Sequence, residues 1–277
     1  MSSKVALITG ASSGIGEAAA LELSARGFTV YGAARRVDRM SHLAERGIRT
    51  ISMDVTDEAS MRAGVDRIVA ETGRIDVLVN NAGYGSYGAV EDVPLDEARY
   101  QFEVNVFGVA RLSQLVLPHM RARRSGRIIN ISSMGGKIYT PLGAWYHGTK
   151  FALEGFSDSL RLEVRPFGID VVIVEPGAIR TEWSGIAADK LRKVSRDSAY
   201  AAQVESMATA LESESGARRS SPPSVVARAI SRAATSRRPK TRYAVGMGAK
   251  PLILTRRVLP DRAFDAFIGR AMGSLTS

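Results

Sequence analysis

KVALITGASSGIGEAAALELSARGFTVYGAA, residues 4–34, decides the fold of this chain. Residues 4–9 run apolar into Gly10 and predict a buried strand. Apolar positions at helical spacing follow over 15–26, Gly27 stands where a helix ends, and 28–34 predict a second strand. Gly10 lets the chain turn sharply from strand to helix. Gly14 and Gly16 remove side chains where backbone must approach a phosphate or pack on a sheet. Free amides at the positive helix end then favour a pyrophosphate. The spacing is G-x-x-x-G-x-G, unlike the G-x-G-x-x-G of other dinucleotide-binding folds.

The same alternation continues down the chain. Strands are predicted over 48–55, 75–81, 126–133, 169–177 and 241–246. Helices are predicted over 57–73, 95–120, 144–168 and 222–236. The strand runs are apolar throughout, as expected when both sheet faces are covered. Right-handed crossovers then give an α/β fold: a single-domain, Rossmann-like, doubly wound parallel sheet of about seven strands, with helices on both faces. Its ligand crevice lies at the carboxyl ends of the strands. Residues 178–221 are polar and less regular, with helical pieces around 187–214. The tail, 250–273, mixes apolar and arginine positions at helical spacing, broken by Pro260. Residues 1–248 are expected to form the catalytic body and 249–277 a basic, amphipathic helical extension.

Composition narrows the chemistry. The 277 residues are 45% hydrophobic, enough for a sizeable core. There is no cysteine, which excludes disulfides, thiolate metal sites and cysteine nucleophiles. The three histidines, His42, His119 and His147, are far apart in sequence, so no metal site is expected. The N-terminus lacks the apolar run of a secretory leader, and no stretch approaches the ~20 apolar residues of a membrane span. A cytoplasmic location is therefore expected. The net charge of +10 is uneven: residues 218–277 hold 13 Lys/Arg and two Asp/Glu, and the rest of the chain 25 and 26. The basicity is a property of the C-terminal part, where it suits a solvated face or an anionic partner; nucleic acid is the less favoured one.

The second strand ends in Ala33-Ala34-Arg35-Arg36, with no acid until Asp38. A carboxylate there would bind a ribose 2′-hydroxyl, whereas a guanidinium fork suits a 2′-phosphate. NADP (NADPH) is therefore expected in preference to NAD. Farther on, Tyr146 precedes Lys150 by four residues, so the two side chains share a helix face.

Taken in order, TGASSGIG (9–16), DV (54–55), NNAG (80–83), Asn105, NISS (130–133), YHGTK (146–150) and PGAIRT (176–181) resemble the short-chain dehydrogenase/reductase family. The general character is similar to its retinol- and hydroxysteroid-dehydrogenase-like branch. The resemblance covers roughly residues 4–181. It departs from the frequent Y-S-A-S-K only at His147, Gly148 and Thr149. It implies a cofactor site of Gly10, Ser12, Ser13, Gly14, Ile15, Gly16, Arg35 and Arg36, with Asp54 and Val55 at the adenine end. Asn81, Ala82 and Gly83 would line the cofactor and brace the sheet. Pro176, Gly177, Ile179 and Thr181 would meet the nicotinamide end. The implied catalytic residues are Asn105, Ser133, Tyr146 and Lys150. Tyr146 would be the general acid or base, and Ser133 would bind the substrate oxygen with it. Lys150 would lower the phenol pKa and hold the nicotinamide ribose. Asn105, which would also serve the cofactor site, would bind a water that links Lys150 to solvent. Ser132 and Ser133 alternate along a strand, so only one is expected to face the site, and Ser133 fits better.

For the substrate the sequence offers Tyr84, Tyr87, Met134 to Tyr139, Trp145 and Trp183 as lining. These suit a small apolar alcohol, ketone or aldehyde, with 178–221 as the lid. The family resemblance further implies a homo-oligomer, dimer or tetramer, through the helices at 95–120 and 144–168. The tail is expected to dock on the body, with peripheral contact to anionic lipid as the other reading. Two alternatives to the oxidoreductase reading are a non-catalytic NADP-binding sensor with a basic partner-binding tail, and an epimerase or dehydratase.

Overall fold

The computed structural model describes residues 3–195, 197–213 and 218–272. Among them, strands β1 (Val5–Thr9), β2 (Thr29–Ala34), β3 (Arg49–Ser52), β4 (Val77–Asn80), β5 (Gly126–Ile131), β6 (Ile169–Pro176) and β7 (Arg242–Val245) form one sheet. Its order is 3-2-1-4-5-6-7 and every neighbouring pair is parallel. The chain builds outward from β1 to β3, then returns to β4 and builds the other way. The crevice above β1 and β4 is therefore the switch point of a doubly wound sheet.

The helices on the two faces are α1 (Gly14–Ala25), α2 (Ser41–Ala44), α3 (Glu58–Thr72), α4 (Leu95–Phe102), α5 (Gly108–Ala122), α6 (Ala144–Val164) and α9 (Pro223–Thr235). Between the last two come α7 (Trp183–Ser195) and α8 (Ala201–Glu212), and after β7 come α10 (Ala249–Val258) and α11 (Asp261–Ala271). Alternate strand residues point to opposite faces, which divides the apolar strand runs between two cores. Ala6, Ile8, Val172 and Val174 pack with α1 and α9. Val5, Leu7, Ile169 and Val171 pack with α3, α5 and α6. The expected continuous apolar pattern holds for the interior strands. It fails at β3, where only Ile51 of Arg-Thr-Ile-Ser is buried, because β3 is an edge strand.

The predicted helix over 95–120 is present but not uniform. Between α4 and α5 the chain widens into a π-helical turn, Glu103–Phe107, centred on Asn105. Such turns are often placed at functional sites. The segment after β6 leaves the sheet at Ala178 to Arg180 and returns at Ser221, where Arg180 N donates to Ser221 O (2.9 Å) and Ser221 N to Ala178 O (3.0 Å). Within the excursion, α7 and α8 pack on Tyr87, Leu142 and Tyr146 in a separate apolar cluster. The tail helices dock on the body. Phe264 and Ile268 are buried with Ile138, and Met134, Tyr139, Leu252 and Leu259 pack round them. Leu254, 60% exposed, and Phe267, 39% exposed, stay outside this contact. No described helix is long and apolar enough to cross a membrane.

Candidate active site

The turn after β1 is held by close backbone approach. Gly10 has φ +66°, and a Cβ on Gly16 would overlap the Gly10 carbonyl oxygen. Only glycine fits both places. Ser13 precedes α1, but its hydroxyl makes no bond to the helix amides, so the first turn is left open to an anion. Ser12 and Gly14 are half-buried in this turn, and Ile15 packs against the core under α1 and α9. A Cβ on Gly14 would sit 3.1 Å from the Thr181 methyl, so the turns after β1 and β6 close on one another.

The β4 end is tied to the β1 end. Thr9 Oγ1 accepts from Asn81 N and Ala82 N (3.0 Å each), and Asn81 Nδ2 donates to Thr9 O (2.9 Å). Thr9 lay inside the quoted glycine-rich stretch, but its part in joining the strands needed the sheet order to be known. At the end of β2, Arg35 and Arg36 are both exposed, and Arg35 donates to the Tyr100 hydroxyl (3.0 Å). Beyond β3, Asp54 accepts from the Thr56 amide (2.9 Å) and hydroxyl (2.8 Å), which fixes the turn that carries Val55. Pro176 ends β6, and Gly177 N donates to Val245 O (2.8 Å). Ile179 turns inward and packs against the core under α1 and α9. Apart from Ile179, these residues border the crevice over β1 and β4 or the strand ends beside it.

Tyr146 and Lys150 lie one turn apart on α6, both buried, with Lys150 Nζ 6.0 Å from the Tyr146 ring centroid. Ser133 lies near enough to the phenol to act on its pKa, and its Oγ accepts from Gly135 N (3.0 Å). Ser132, just beyond β5, is buried and its hydroxyl has no partner, so the two serine side chains have different surroundings. Burial raises the Tyr146 pKa to about 12, against the lowering effect of Ser133. Burial lowers the Lys150 pKa to about 8, and the Glu154 charge opposes that fall. Lys150 Nζ donates to the Ile131 carbonyl (3.0 Å), which aims it at the end of β5. A Cβ on Gly83 would lie 3.0 Å from Asn105 Oδ1 and 3.7 Å from Lys150 Nζ, so Gly83 and the Lys150 ammonium are adjacent.

Asn105 spends its side chain on protein. Nδ2 donates to Tyr84 O (2.9 Å) and Thr149 Oγ1 (3.1 Å), and Oδ1 accepts from Tyr84 N (3.1 Å). It clamps the loop after β4 to α6, the satisfied arrangement that also suits a helix-kink asparagine. His147, in a position with no proton role in the sequence reading, is a brace. It is buried, its Nδ1 bonds Gly135 O (2.9 Å), and its Nε2 accepts from Thr140 N (3.1 Å). These bonds hold the Ser133 loop at both ends, and burial lowers the His147 pKa, which keeps the ring neutral.

Three aromatic rings form a triangle at the phenol. Tyr87 and Trp183 lie 5.5 Å from the Tyr146 centroid and 5.8 Å from one another. The other suggested lining residues are dispersed. Tyr84 is taken up by Glu97 and Lys190, and Trp145 is not part of the triangle; its indole nitrogen is buried without a partner. Met134 and Tyr139 meet the tail. The site thus offers an anion-binding helix end, a guanidinium pair, a phenol with a serine partner, a buried ammonium and an aromatic wall. Among the described residues no group of His, Asp or Glu could hold a metal ion.

The short chain dehydrogenase family model matches residues 4–191. A 3-ketodihydrosphingosine reductase of Bacteroides thetaiotaomicron is 44% identical over 184 residues, 66% of this chain and 67% of that protein. An NADPH-dependent 3-dehydrocapnine reductase of Ornithobacterium rhinotracheale is 32% identical over 99% of both chains. The crystal structure of a short-chain dehydrogenase from Streptomyces avermitilis superposes with a TM-score of 0.81 at 36% identity, covering all of both chains. With the glycine turn, the seven-stranded parallel sheet and the Ser133, Tyr146 and Lys150 constellation already in place, these matches establish that the chain belongs to the short-chain dehydrogenase/reductase family of oxidoreductases.

Proposed function

We propose that the protein interconverts an apolar secondary alcohol and ketone with NADP(H), with Tyr146 as the general acid/base. The observation that carries this reading is the convergence of Ser133 and Lys150 on the buried Tyr146 phenol, beneath the aromatic wall of Tyr87 and Trp183. When bound in the crevice, the nicotinamide supplies or accepts the hydride. The turn at Gly10 to Gly16 and the first amides of α1 hold its pyrophosphate, and Arg35 and Arg36 hold a 2′-phosphate. Asp54 and Val55 flank the adenine.

With a pKa of about 12, the Tyr146 phenol is fully protonated at neutral pH and ready to donate to a carbonyl oxygen. The Ser133 hydroxyl stabilises the charge that develops on that oxygen. The Lys150 ammonium, favoured at neutral pH, stabilises the phenolate left behind. Asn105 keeps the Tyr84 loop against α6 so that Gly83 stays beside Lys150. The lid helices α7 and α8 exclude water over the phenol. The two related reductases, one of 3-ketodihydrosphingosine and one of 3-dehydrocapnine with NADPH, support a lipid ketone and NADPH.

Two further readings accompany this one. Phe107, Phe151 and Leu162, on the helices expected to pair copies, are 54%, 45% and 65% exposed, which supports a homo-oligomer. Sedimentation velocity at several concentrations tests that. Exposed Leu254 and Val258 beside Lys250 and Arg257 support contact with an anionic lipid surface, which vesicle co-sedimentation at low salt tests.

The main test is NADPH consumption, beside NADH, with aliphatic, aromatic, steroid and long-chain ketones, and with Tyr146→Phe in parallel. NADPH-preferring turnover that falls by about 10²-fold or more in the variant, with NADPH binding retained, is expected. Turnover that survives the substitution refutes the role of Tyr146.

A further inference from the structure

The face of α6 that carries Tyr146 and Lys150 continues, at the same four-residue step, to Glu154 and Asp158. Glu154 is 3% exposed, and so is Glu175, which β6 presents to the same side of the sheet. One guanidinium, Arg242, spans the two carboxyls; Glu154 Oε1 is buried without a hydrogen-bond partner, and Glu175 Oε1 has only the ion pair with Arg242. Cations meet them from two other elements. Lys137, in the turn after β5, lies 3.0 Å from Glu154 Oε2. Arg242 of β7 reaches Glu154 Oε2 (3.0 Å), Asp158 Oδ2 (2.6 Å) and Glu175 Oε1 (3.3 Å). Asp158 is also paired with Arg161. Lys150, one turn away, feels the Glu154 charge directly.

Arg161 serves only Asp158, so the two buried glutamates depend on Lys137 and on Arg242, which Asp158 shares. Two buried carboxyls held on one guanidinium resist double ionisation, and one proton between them gives their Oε1 atoms a donor.

We propose that Glu154 and Glu175 are positioning residues: a carboxyl pair that shares one proton behind Lys150 and sets how firmly Lys150 holds its ammonium charge. The inference rests on Lys150 acting beside Tyr146 as proposed above. Below the pair's titration it carries one negative charge. Above it the pair carries two, which strengthens the hold on the ammonium where burial would otherwise strip it. Burial, followed by the Glu154 charge, raises the Glu175 pKa to about 7, so the change falls in the neutral range.

The first test reads the proton itself. Infrared difference spectra of the unliganded protein, taken between roughly pH 5.5 and 8.5, follow the protonated-carboxyl stretch. In the wild type a band lost through neutrality is expected. Because Glu175 holds the proton, the band is absent in Glu175→Gln; in Glu154→Gln the burial of Glu175 remains but the charge beside it is gone, so the band is lost at lower pH than in the wild type. A midpoint unmoved in Glu154→Gln shows that Glu175 is only a desolvated acid and overturns the pair. The second test is the pH profile of kcat/KM with NADPH. In the double variant E154Q/E175Q, loss of both charges moves the alkaline limb down by about one pH unit, roughly tenfold at the alkaline end. An unmoved limb overturns the action on Lys150, whatever happens to kcat or stability. If the double variant does not fold, Glu175→Gln alone decides, since it removes one of the two charges above neutrality and must move the limb in the same direction. Turnover that survives Tyr146→Phe would refute the catalytic reading instead, and the infrared result stands apart from it.

Discussion

Phe264→Ala should release the C-terminal helices from the body while the sheet stays folded. Phe264 is fully buried. Its ring meets Tyr139 edge-on at 5.3 Å, and the Arg256 guanidinium lies 5.3 Å from Phe264 and 5.4 Å from Tyr139. Truncating a buried phenylalanine costs about 3–5 kcal/mol. The aromatic pair and the cation over the rings account for roughly 1–2 kcal/mol of such a loss. The cores under α1 with α9 and under α3, α5 and α6 do not include Phe264, so the cost falls on docking of the tail. A loss of about 3 kcal/mol raises the undocked population by roughly 150-fold. Limited trypsin digestion under native conditions reads this directly, because Arg256, Arg257, Arg262 and Arg270 lie in the tail. When opening is fast relative to cleavage, the rate follows the open population. Met272 packs against both the tail cluster and the lid cluster, so KM for an apolar ketone should rise with tail release. Cleavage within about threefold of wild type refutes the docking energetics, and simultaneous loss of the whole fold refutes the independence of the tail.

Other substitutions probe the site. Gly16→Ala should weaken NADPH binding by about 10-fold or more, read by cofactor fluorescence, because the new methyl must displace the Gly10 carbonyl. Asn105→Ala should cost about 2–4 kcal/mol in denaturant unfolding, since it leaves Tyr84 N and Tyr84 O without this partner and removes the bond to Thr149 Oγ1. Its kcat should fall as the Gly83 loop loosens. Glu175 predicts a pH-dependent stability of definite sign. Its folded pKa of about 7 lies above its ordinary 4.5, so the folded state holds a proton that the unfolded chain gives up. That contribution is full below 4.5 and is lost as pH rises through about 7. The Tm of Glu175→Gln, measured relative to wild type, should therefore climb between those two pH values and level off above them. A constant difference across the window counts against a raised carboxyl pKa.

Much of the site was legible because its signals are local. The turn from Gly10 to Gly16, the strand-helix alternation and the Tyr146-to-Lys150 spacing each depend on neighbours a few residues apart. The two-residue period of a strand allowed only one of Ser132 and Ser133 to face the site, and the choice of Ser133 followed from the family resemblance, not from the period. Other features had no such signature. His147 looked like an unimportant substitution until its two nitrogens were seen to hold Gly135 and Thr140. Thr9 became a strand tie only once β1 and β4 were neighbours. Of the aromatic residues suggested as lining, Tyr87 and Trp183 reached the phenol, and Trp145, adjacent to Tyr146 in the chain, did not join them. Consecutive helical residues point about 100° apart, so nearness in sequence did not mean nearness in the pocket.

By itself the sequence determined the order of strands and helices, the glycine turn after β1 and the shared α6 face of Tyr146 and Lys150, because backbone conformation and periodicity are set within a few residues. Only the tertiary structure decided what that face meets. Glu154, Glu175 and Arg242 come from a helix and two strands and share one buried cluster, and Phe264 closes over Tyr139 from more than a hundred residues away. Such contacts depend on how packed elements cross, and no local period encodes the partner that a side chain finds across a core.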